Sequence, residues 1–440
     1  MMRIVKYPSK HFEEEVKRFC SRPESNRDIK SVVGSILKNV QRKGDSSILE
    51  YTAKIDGVDL AGRGLRVPLS MMERAMKSLP QNDRKAIMEA ISCVEEFHRR
   101  NFPQDWSGKN LHGARVGEAF SPLERIGIWI PGGVVPLVST VIMTASLANI
   151  AGIREVAIFT PPQKNGSVHR RLLAAMALCQ VKEVYRMAGV PAVGAMAYGT
   201  ESIRPVCKIF GPGNAYVIEA KRQVFGEIGV DLLPGPSEVM IIADGDARAD
   251  WVAADLIAQA EHGLGGRVFL VTSSKRLLDA VIIEIKSQVK HLRNRETVEA
   301  VLGKEFLVIL VDRIHQAVKV ANRIAPEHLE IHTKRSKWDR LVSGIHNAGA
   351  IFLGNQTPTV LGDFTAGPSH VLPTGGSGRF MSGLRLSDFF RRTSIVEYDE
   401  SCLKRARETV EAFSQMEQLD GHRNSLRIRF QNERRELDRG

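Results

Sequence analysis

Apolar positions in the first hundred residues recur at helical spacing. Ile29, Val32, Val33, Ile36, Leu37 and Val40 fall on one stripe, as do Met71, Met72, Ala75 and Leu79, so amphipathic helices are expected over 28–55 and 69–101. Residues 1–25 read as a small helical arm. From residue 124 the period changes. Arg125-Ile126-Gly127-Ile128-Trp129-Ile130 reads as a buried strand broken by Pro131-Gly132-Gly133; 139–151 reads as a helix and Glu155–Thr160 as the next strand. That is one βαβ unit, extended by helix 168–179, strand 183–187, helix 190–198 and the region of Ile209. A second series starts near 238, with strand 239–243, the Asp244-Gly245-Asp246 turn, helix 247–261 and strand 268–272. It continues through helix 275–290, strand 306–311, helix 313–323, strand 328–333, helix 335–345 and strand 350–353. The pattern predicts an α/β protein of two lobes, each with a mostly parallel sheet. After about 380 the alternation ends. A charged helical piece over 400–418 leads to a polar tail, 431–440, that reads as disordered. An extension so poor in apolar residues needs a partner surface, which makes oligomerisation the expectation.

Composition narrows the class. The 440 residues exceed one typical domain. Five cysteines, odd in number and scattered without a CxxC, argue against a disulfide framework and for a reducing compartment. The first residues lack the apolar core of a signal peptide, and no run of about 18 apolar residues exists to span a membrane; a cytoplasmic protein is expected. The net charge of +12 raises nucleic acid as a partner. Lys and Arg are spread along the chain with no nucleic-acid-binding signature beside them, so solvated surface is preferred and no nucleic acid is expected.

Four places carry candidate chemistry. Gln259 and His262 are three residues apart at the end of the 247–261 helix and share a face; amide oxygen and imidazole nitrogen both ligate zinc. Polar residues capping the Gly263-Leu264-Gly265-Gly266 turn explain the same spacing. In Ala325-Pro326-Glu327-His328-Leu329-Glu330-Ile331-His332, a Glu beside a His where helix passes to strand, at the carboxyl-side rim of a sheet, is a candidate base pair. A surface strand with a polar outer face is the alternative. The loop from Leu361 to Gly376 holds Asp363, able to ligate a cation, and His370, able to donate to a substrate; a Gly/Pro connector is equally compatible. His422 reads, alone, as a surface histidine. Pro131-Gly132-Gly133 and Gly211-Pro212-Gly213-Asn214 follow apolar strands and suit backbone approach to phosphates, but neither is GxGxxG and no P-loop exists.

Taken in order, these strings resemble the histidinol dehydrogenase family over roughly residues 25–430. The resemblance rests on Ile130-Pro131-Gly132-Gly133, Ala197-Tyr198-Gly199-Thr200-Glu201-Ser202, Gly211-Pro212-Gly213-Asn214, Glu219 through Gly226, Gly235-Pro236-Ser237-Glu238-Val239, Gln259-Ala260-Glu261-His262, Ala325 through Glu330 and Ser369-His370-Val371-Leu372-Pro373-Thr374. It implies a zinc- and NAD-dependent enzyme that oxidises L-histidinol to L-histidine through the aldehyde with two NAD⁺. It implies one Zn²⁺ per subunit on Gln259, His262, Asp363 and His422, with Glu327 and His328 as catalytic residues. Ser237, His370 and Glu417, with His328 and the zinc ligands, would contact substrate, and Trp129, Pro191 and Asn214 the cofactor.

The resemblance further implies two incomplete Rossmann-like lobes. The first lobe would comprise 26–129 with 240–380 and carry the zinc ligands and catalytic pair; 130–239 would form the second, with the cofactor contacts. The 1–25 arm precedes them, and a C-terminal extension, 381–430, would reach the partner of a homodimer with shared active sites. Two positions depart from the family pattern. Ala188-Gly189-Val190-Pro191 stands where Gly-Gly-Ala-Gln is usual, and Trp129 where Tyr is common, so weaker or re-posed NAD⁺ binding is expected. Two rivals follow: a relative that oxidises another polar or sulfonated alcohol with NAD, which the Glu417 carboxylate disfavours, and a non-catalytic basic binding protein, which predicts erosion of the ligand set.

Overall fold

Val-Met-Ile-Ile-Ala at 239–243 and Phe-Leu-Val-Ile-Leu-Val at 306–311 are continuous apolar runs, as expected of parallel strands covered on both faces. The computed structural model describes residues 3–20, 27–132 and 136–430. One unit comprises Met1–Phe102 with Leu123–Phe389, and a second Pro103–Pro122 with Phe390–Gly440. The expectation for 431–440 lies outside the described residues.

The first unit holds two sheets, parallel throughout. In the six-stranded sheet the order is Arg3–Tyr7, Phe306–Val311, Arg267–Thr272, Glu238–Ala243, His328–His332, Ala350–Leu353. Glu238–Ala243 is followed in sequence by the strand on one side, while His328–His332 lies on the other, so the chain reverses direction between them. Register pairs His328 with Val239, Glu330 with Ile241 and His332 with Ala243. Those three polar side chains therefore share the face on which Val239, Ile241 and Ala243 pack with Val252, Ala253 and Leu256 of the helix Ala249–Ala260. In the five-stranded sheet the order is Glu183–Arg186, Glu155–Thr160, Arg125–Trp129, Lys208–Phe210, Gly229–Val230; the reversal falls between Arg125–Trp129 and Lys208–Phe210.

The mixed α/β architecture with mostly parallel sheets is as the periodicity predicts. Several details differ. The N-terminal arm opens with a strand, Arg3–Tyr7, that extends the six-stranded sheet before the helix Phe12–Cys20; the strand is short and only Val5 is buried, so it left no strong alternation. The helix expected over 69–101 is two, Leu69–Lys77 and Gln81–Arg99, divided at Pro80, whose ψ of 143° is extended. The expectation puts 26–129 in one lobe with 240–380. Instead the stripe Val33, Ile36, Leu37, Val40 of Arg27–Asp56, a helical stretch broken at Gly44 (φ 55°, ψ −134°), shares a core with Phe159, Tyr185, Val193 and Met196 of the five-stranded sheet and its helices. Gly194 makes the approach possible, since a Cβ there would stand 3.1 Å from Val40. The strand Arg125–Trp129 is central to the five-stranded sheet, and 103–122 falls in the second unit.

The second unit pairs Trp106–Lys109, Arg115–Pro122 and Phe390–Glu397 as an antiparallel sheet and adds the helices Glu400–Met416 and Asp420–Arg427. The strand in 390–397 escaped the periodicity because its side chains are nearly all exposed and mixed with Arg and Glu.

His98, on the helix Gln81–Arg99, is 3% exposed and its Nε2 has no hydrogen-bond partner among the described residues. Burial pulls its pKa down to about 4 from 6.5. The folded state thus keeps it neutral, and the unfolded state takes up the proton first. Stability should rise with pH between about 4 and 6.5 and be lost as pH falls through that window. His98→Leu should flatten the dependence of Tm on pH there; an unchanged slope in the variant would disprove the assignment.

Candidate active site

Gln259 occupies the last turn of Ala249–Ala260, 5% exposed, and its Nε2 is buried with no partner among the described residues. Because amide oxygen and nitrogen exchange by a simple flip, the buried carboxamide offers an oxygen to a cation. His262 follows the helix end, its N–H donating to the Gln259 carbonyl at 3.2 Å, and its side chain is exposed. Gly263 and Gly265, at φ 93° and 95°, turn the chain by their own conformation, so the unpartnered Gln259 nitrogen is not spent on capping that turn. Asp363 lies at the end of the short helix Thr359–Phe364. Burial opposes its ionisation, but the bond to His370 (Nδ1 to Oδ1, 3.6 Å) and the charges of His370, His328 and His262 hold it below the usual carboxylate range. Ser237 is half-buried; a Cβ on Gly266 would stand 3.1 Å from its carbonyl oxygen and 3.7 Å from Gln259 Nε2. The donors Gln259, His262 and Asp363 therefore cluster with Ser237, His328 and His370, and the chemistry of the set (amide oxygen, imidazole, carboxylate) fits zinc.

Glu327 and His328 are both buried, which removes the alternative of a polar outer face. Glu327 Oε2 accepts from the Glu238 N–H at 2.9 Å. His328 Nδ1 lies 3.2 Å from the Glu238 carbonyl and 3.5 Å from Glu327 Oε2. A carbonyl only accepts, so Nδ1 carries a hydrogen, and Nε2 is the nitrogen left to exchange a proton with substrate. Burial works against the imidazolium, but the charge and hydrogen bond of Glu327, the charge of Asp363 and the Glu238 carbonyl push His328 up to about 9. The rim is the opposite of the carboxyl-side one expected. Glu327 immediately precedes the strand His328–His332, and Gln259 ends the helix that returns antiparallel to the strands, so the pair sits at the amino-terminal rim of the six-stranded sheet. Sequence reasoning missed Glu238, whose carboxyl burial pushes up to about 7 against Arg267, with Glu327 adding to the rise; its place in a Gly-Pro-Ser-Glu string before an apolar run was the available signal.

The five-stranded sheet presents the opposite rim. Gly211 follows the strand Lys208–Phe210 at φ 110°, and a Cβ would fall 2.1 Å from the Trp129 carbonyl, so only glycine fits. Its N–H donates to Asp231 Oδ2 at 2.8 Å and its carbonyl accepts from Lys221 Nζ at 2.8 Å, while Lys221 and Asp231 form a fully buried ion pair. Asn214 Oδ1 caps the helix Ala215–Val224. A cavity of about 440 Å³ opens beside it, lined by Ser31, Tyr51, Gly189, Asn214, Tyr216 and Val217 among others. Trp129 and Pro191 are buried and do not line it. The Trp129 ring backs Gly189, its Cζ2 3.1 Å from where a Cβ would stand; Pro191 sits in the first turn of Gly189–Tyr198, where no N–H bond is required.

Glu417 and His422 lie in the second unit and line a cavity of about 500 Å³ with Phe413, Ser414 and Leu419. Among the described residues, one further group could hold a metal ion: Asp255, Glu330 and His332, whose ligand atoms lie within 4.8 Å of one another.

A buried imidazole–carboxylate pair beside metal-type donors on one parallel sheet, and a cavity bordered by Gly189 and Asn214 beside another, define an α/β enzyme. The histidinol dehydrogenase family model matches residues 20–430. The chain is 40% identical over 427 residues to histidinol dehydrogenase of Rhizobium meliloti, covering 97% of this chain and 98% of that protein. It is 39% identical to that of a Synechococcus strain, covering 98% and 99%. The crystal structure of histidinol dehydrogenase from Elizabethkingia anophelis matches with a TM-score of 0.92 at 30% identity, over 98% of each chain. The chain belongs to the histidinol dehydrogenase family, a family of oxidoreductases. No helix of the described residues is long and apolar enough to cross a membrane.

Proposed function

We propose that the chain oxidises L-histidinol to L-histidine through L-histidinal, with zinc and two NAD⁺ per turnover. The observation that carries this reading is the buried Glu327–His328 pair, anchored on the Glu238 backbone beside Gln259, His262 and Asp363. Gln259, His262 and Asp363 would hold zinc, with His422 as fourth ligand. Bound zinc would supply a template and Lewis acid for the amino alcohol, and bound NAD⁺ the hydride acceptor.

His328 Nε2 takes the alcohol proton as the hydride leaves the carbinol carbon. For that it must first be free of its own proton, and a cation neutralising Asp363 removes one of the charges that keep it protonated. Glu327 activates water to attack the aldehyde, giving the hydrate from which the second hydride leaves. His370 and Ser237 orient the substrate, and Glu417 accepts a hydrogen bond from its imidazole. The cavity beside Asn214 takes the cofactor. Because Glu417 and His422 belong to a separate compact unit, we infer that two copies of the chain share their sites as a homodimer, each lending this unit to the other.

Zinc-loaded protein given L-histidinol and excess NAD⁺ should form two NADH per substrate consumed. One NADH per substrate, or reduction only with a sulfonated alcohol, would overturn the assignment. Sedimentation should give a dimer; an active monomer would exclude shared sites.

A further inference from the structure

Asp255, Glu330 and His332 are used by none of the chemistry above, yet they sit at the centre of the first unit. Glu330 and His332 are both 0% exposed, on the face of their strand that meets the helix Ala249–Ala260. Burying three ionisable groups carries a large desolvation cost unless each is partnered. Here they partner one another and a helix end. Glu330 Oε2 accepts from His332 Nε2 at 3.0 Å, and the same nitrogen lies 3.6 Å from Asp255 Oδ2. Glu330 Oε1 accepts from the Thr359 N–H at 2.6 Å and from the Thr359 hydroxyl. Thr359 opens the helix Thr359–Phe364, whose N-cap residue, Pro358, has no side-chain acceptor to offer. Glu330 thus caps from a neighbouring strand a helix that cannot cap itself.

The three elements joined this way are the ones that matter. Asp255 lies one turn before Gln259 on Ala249–Ala260. Glu330 and His332 follow His328 at alternate positions of one strand. Thr359 is four residues before Asp363 on its helix. We propose that Asp255, Glu330 and His332 are positioning residues: a buried hydrogen-bonded bridge that fixes Gln259, His328 and Asp363 relative to one another and so sets the affinity of the zinc site. The inference rests on the zinc assignment of the preceding section. Burial and the facing Glu330 carboxylate push Asp255 well above the usual carboxylate range, so it retains a proton to donate to Glu330, consistent with a bridge of hydrogen bonds.

The test is zinc affinity, measured on full-length apo-protein by competition with a chromophoric zinc chelator, well below each variant's Tm. Glu330→Ala should bind zinc about 10- to 100-fold more weakly, as when an outer hydrogen-bond partner of a metal ligand is lost. Glu330→Gln, which keeps an acceptor for the Thr359 N–H, should recover part of the loss. Thr359→Val, which removes only a hydroxyl, covers the case in which Glu330→Ala does not fold; its affinity should fall by less, but measurably. Wild-type affinity in folded Glu330→Ala, or in Thr359→Val if only that variant folds, overturns the inference and leaves the zinc assignment standing. A second equivalent of zinc, lost in Asp255→Asn, also overturns it, because the triad would then be a metal site. Wild-type protein that binds no zinc sinks the zinc assignment and this inference with it.

Discussion

His328→Asn should lower turnover of L-histidinol by about 10²- to 10⁴-fold, the range for loss of a positioned base, with zinc content unchanged. The asparagine amide still reaches the Glu238 carbonyl in place of Nδ1–H, so the strand His328–His332 keeps its anchor and the donors on neighbouring elements keep their places. What disappears is the nitrogen able to accept a proton. The loss should therefore fall on kcat, with little change in substrate affinity. Metal analysis of the purified variant separates the possibilities: zinc lost together with activity would mean that His328 is a ligand and not a base.

The second large effect lies on the cofactor side. Lys221→Met should cost about 3–5 kcal/mol of stability, because Asp231 is left charged and buried without its partner. Adding Asp231→Asn removes the stranded charge and retains an acceptor for the Gly211 N–H, so much of the loss should return. The KM for NAD⁺ should not return with it, since the Gly211 carbonyl has lost the ammonium that held it and the turn leading to Asn214 is no longer fixed. Chemical denaturation and steady-state kinetics on the single and double variants decide this. If both quantities recover together, the ion pair serves stability alone.

Much of this was legible in the chain. Helical period and continuous apolar runs located most elements, since each reports local burial, and the three-residue spacing of Gln259 and His262 placed both at one helix end. Periodicity shows that a stripe is buried but not what buries it. The stripe on Arg27–Asp56 covers the five-stranded sheet through a close approach at Gly194, which no local pattern could specify. The rim on which Glu327 and His328 sit was legible and misassigned: in a parallel sheet a helix-to-strand junction falls at the strands' amino-terminal rim, whatever the strand order. Asp255, 75 residues before Glu330 in the numbering of the chain, was unremarkable alone and became meaningful only through Ala249–Ala260 packing on His328–His332. Trp129 and Pro191 add another limit: no local pattern shows that the Trp129 ring backs Gly189 and that Pro191 is buried in the first turn of Gly189–Tyr198, while Gly189 and Asn214 face the cavity.

The ligand sites proposed for the two sheets lie at opposite rims, and the helices beside them therefore present opposite poles. Gln259 and His262 stand at the carboxyl end of Ala249–Ala260, and Asp363 at the carboxyl end of Thr359–Phe364. Aligned peptide dipoles leave that pole negative, favourable to a cation before any side chain is counted. Asn214 and Gly189 stand where Ala215–Val224 and Gly189–Tyr198 begin, the positive pole, which favours the anionic phosphates of a dinucleotide. The backbone alone thus sorts the proposed ligands by sign. A side-chain variant that empties the zinc site still leaves that polarity in place.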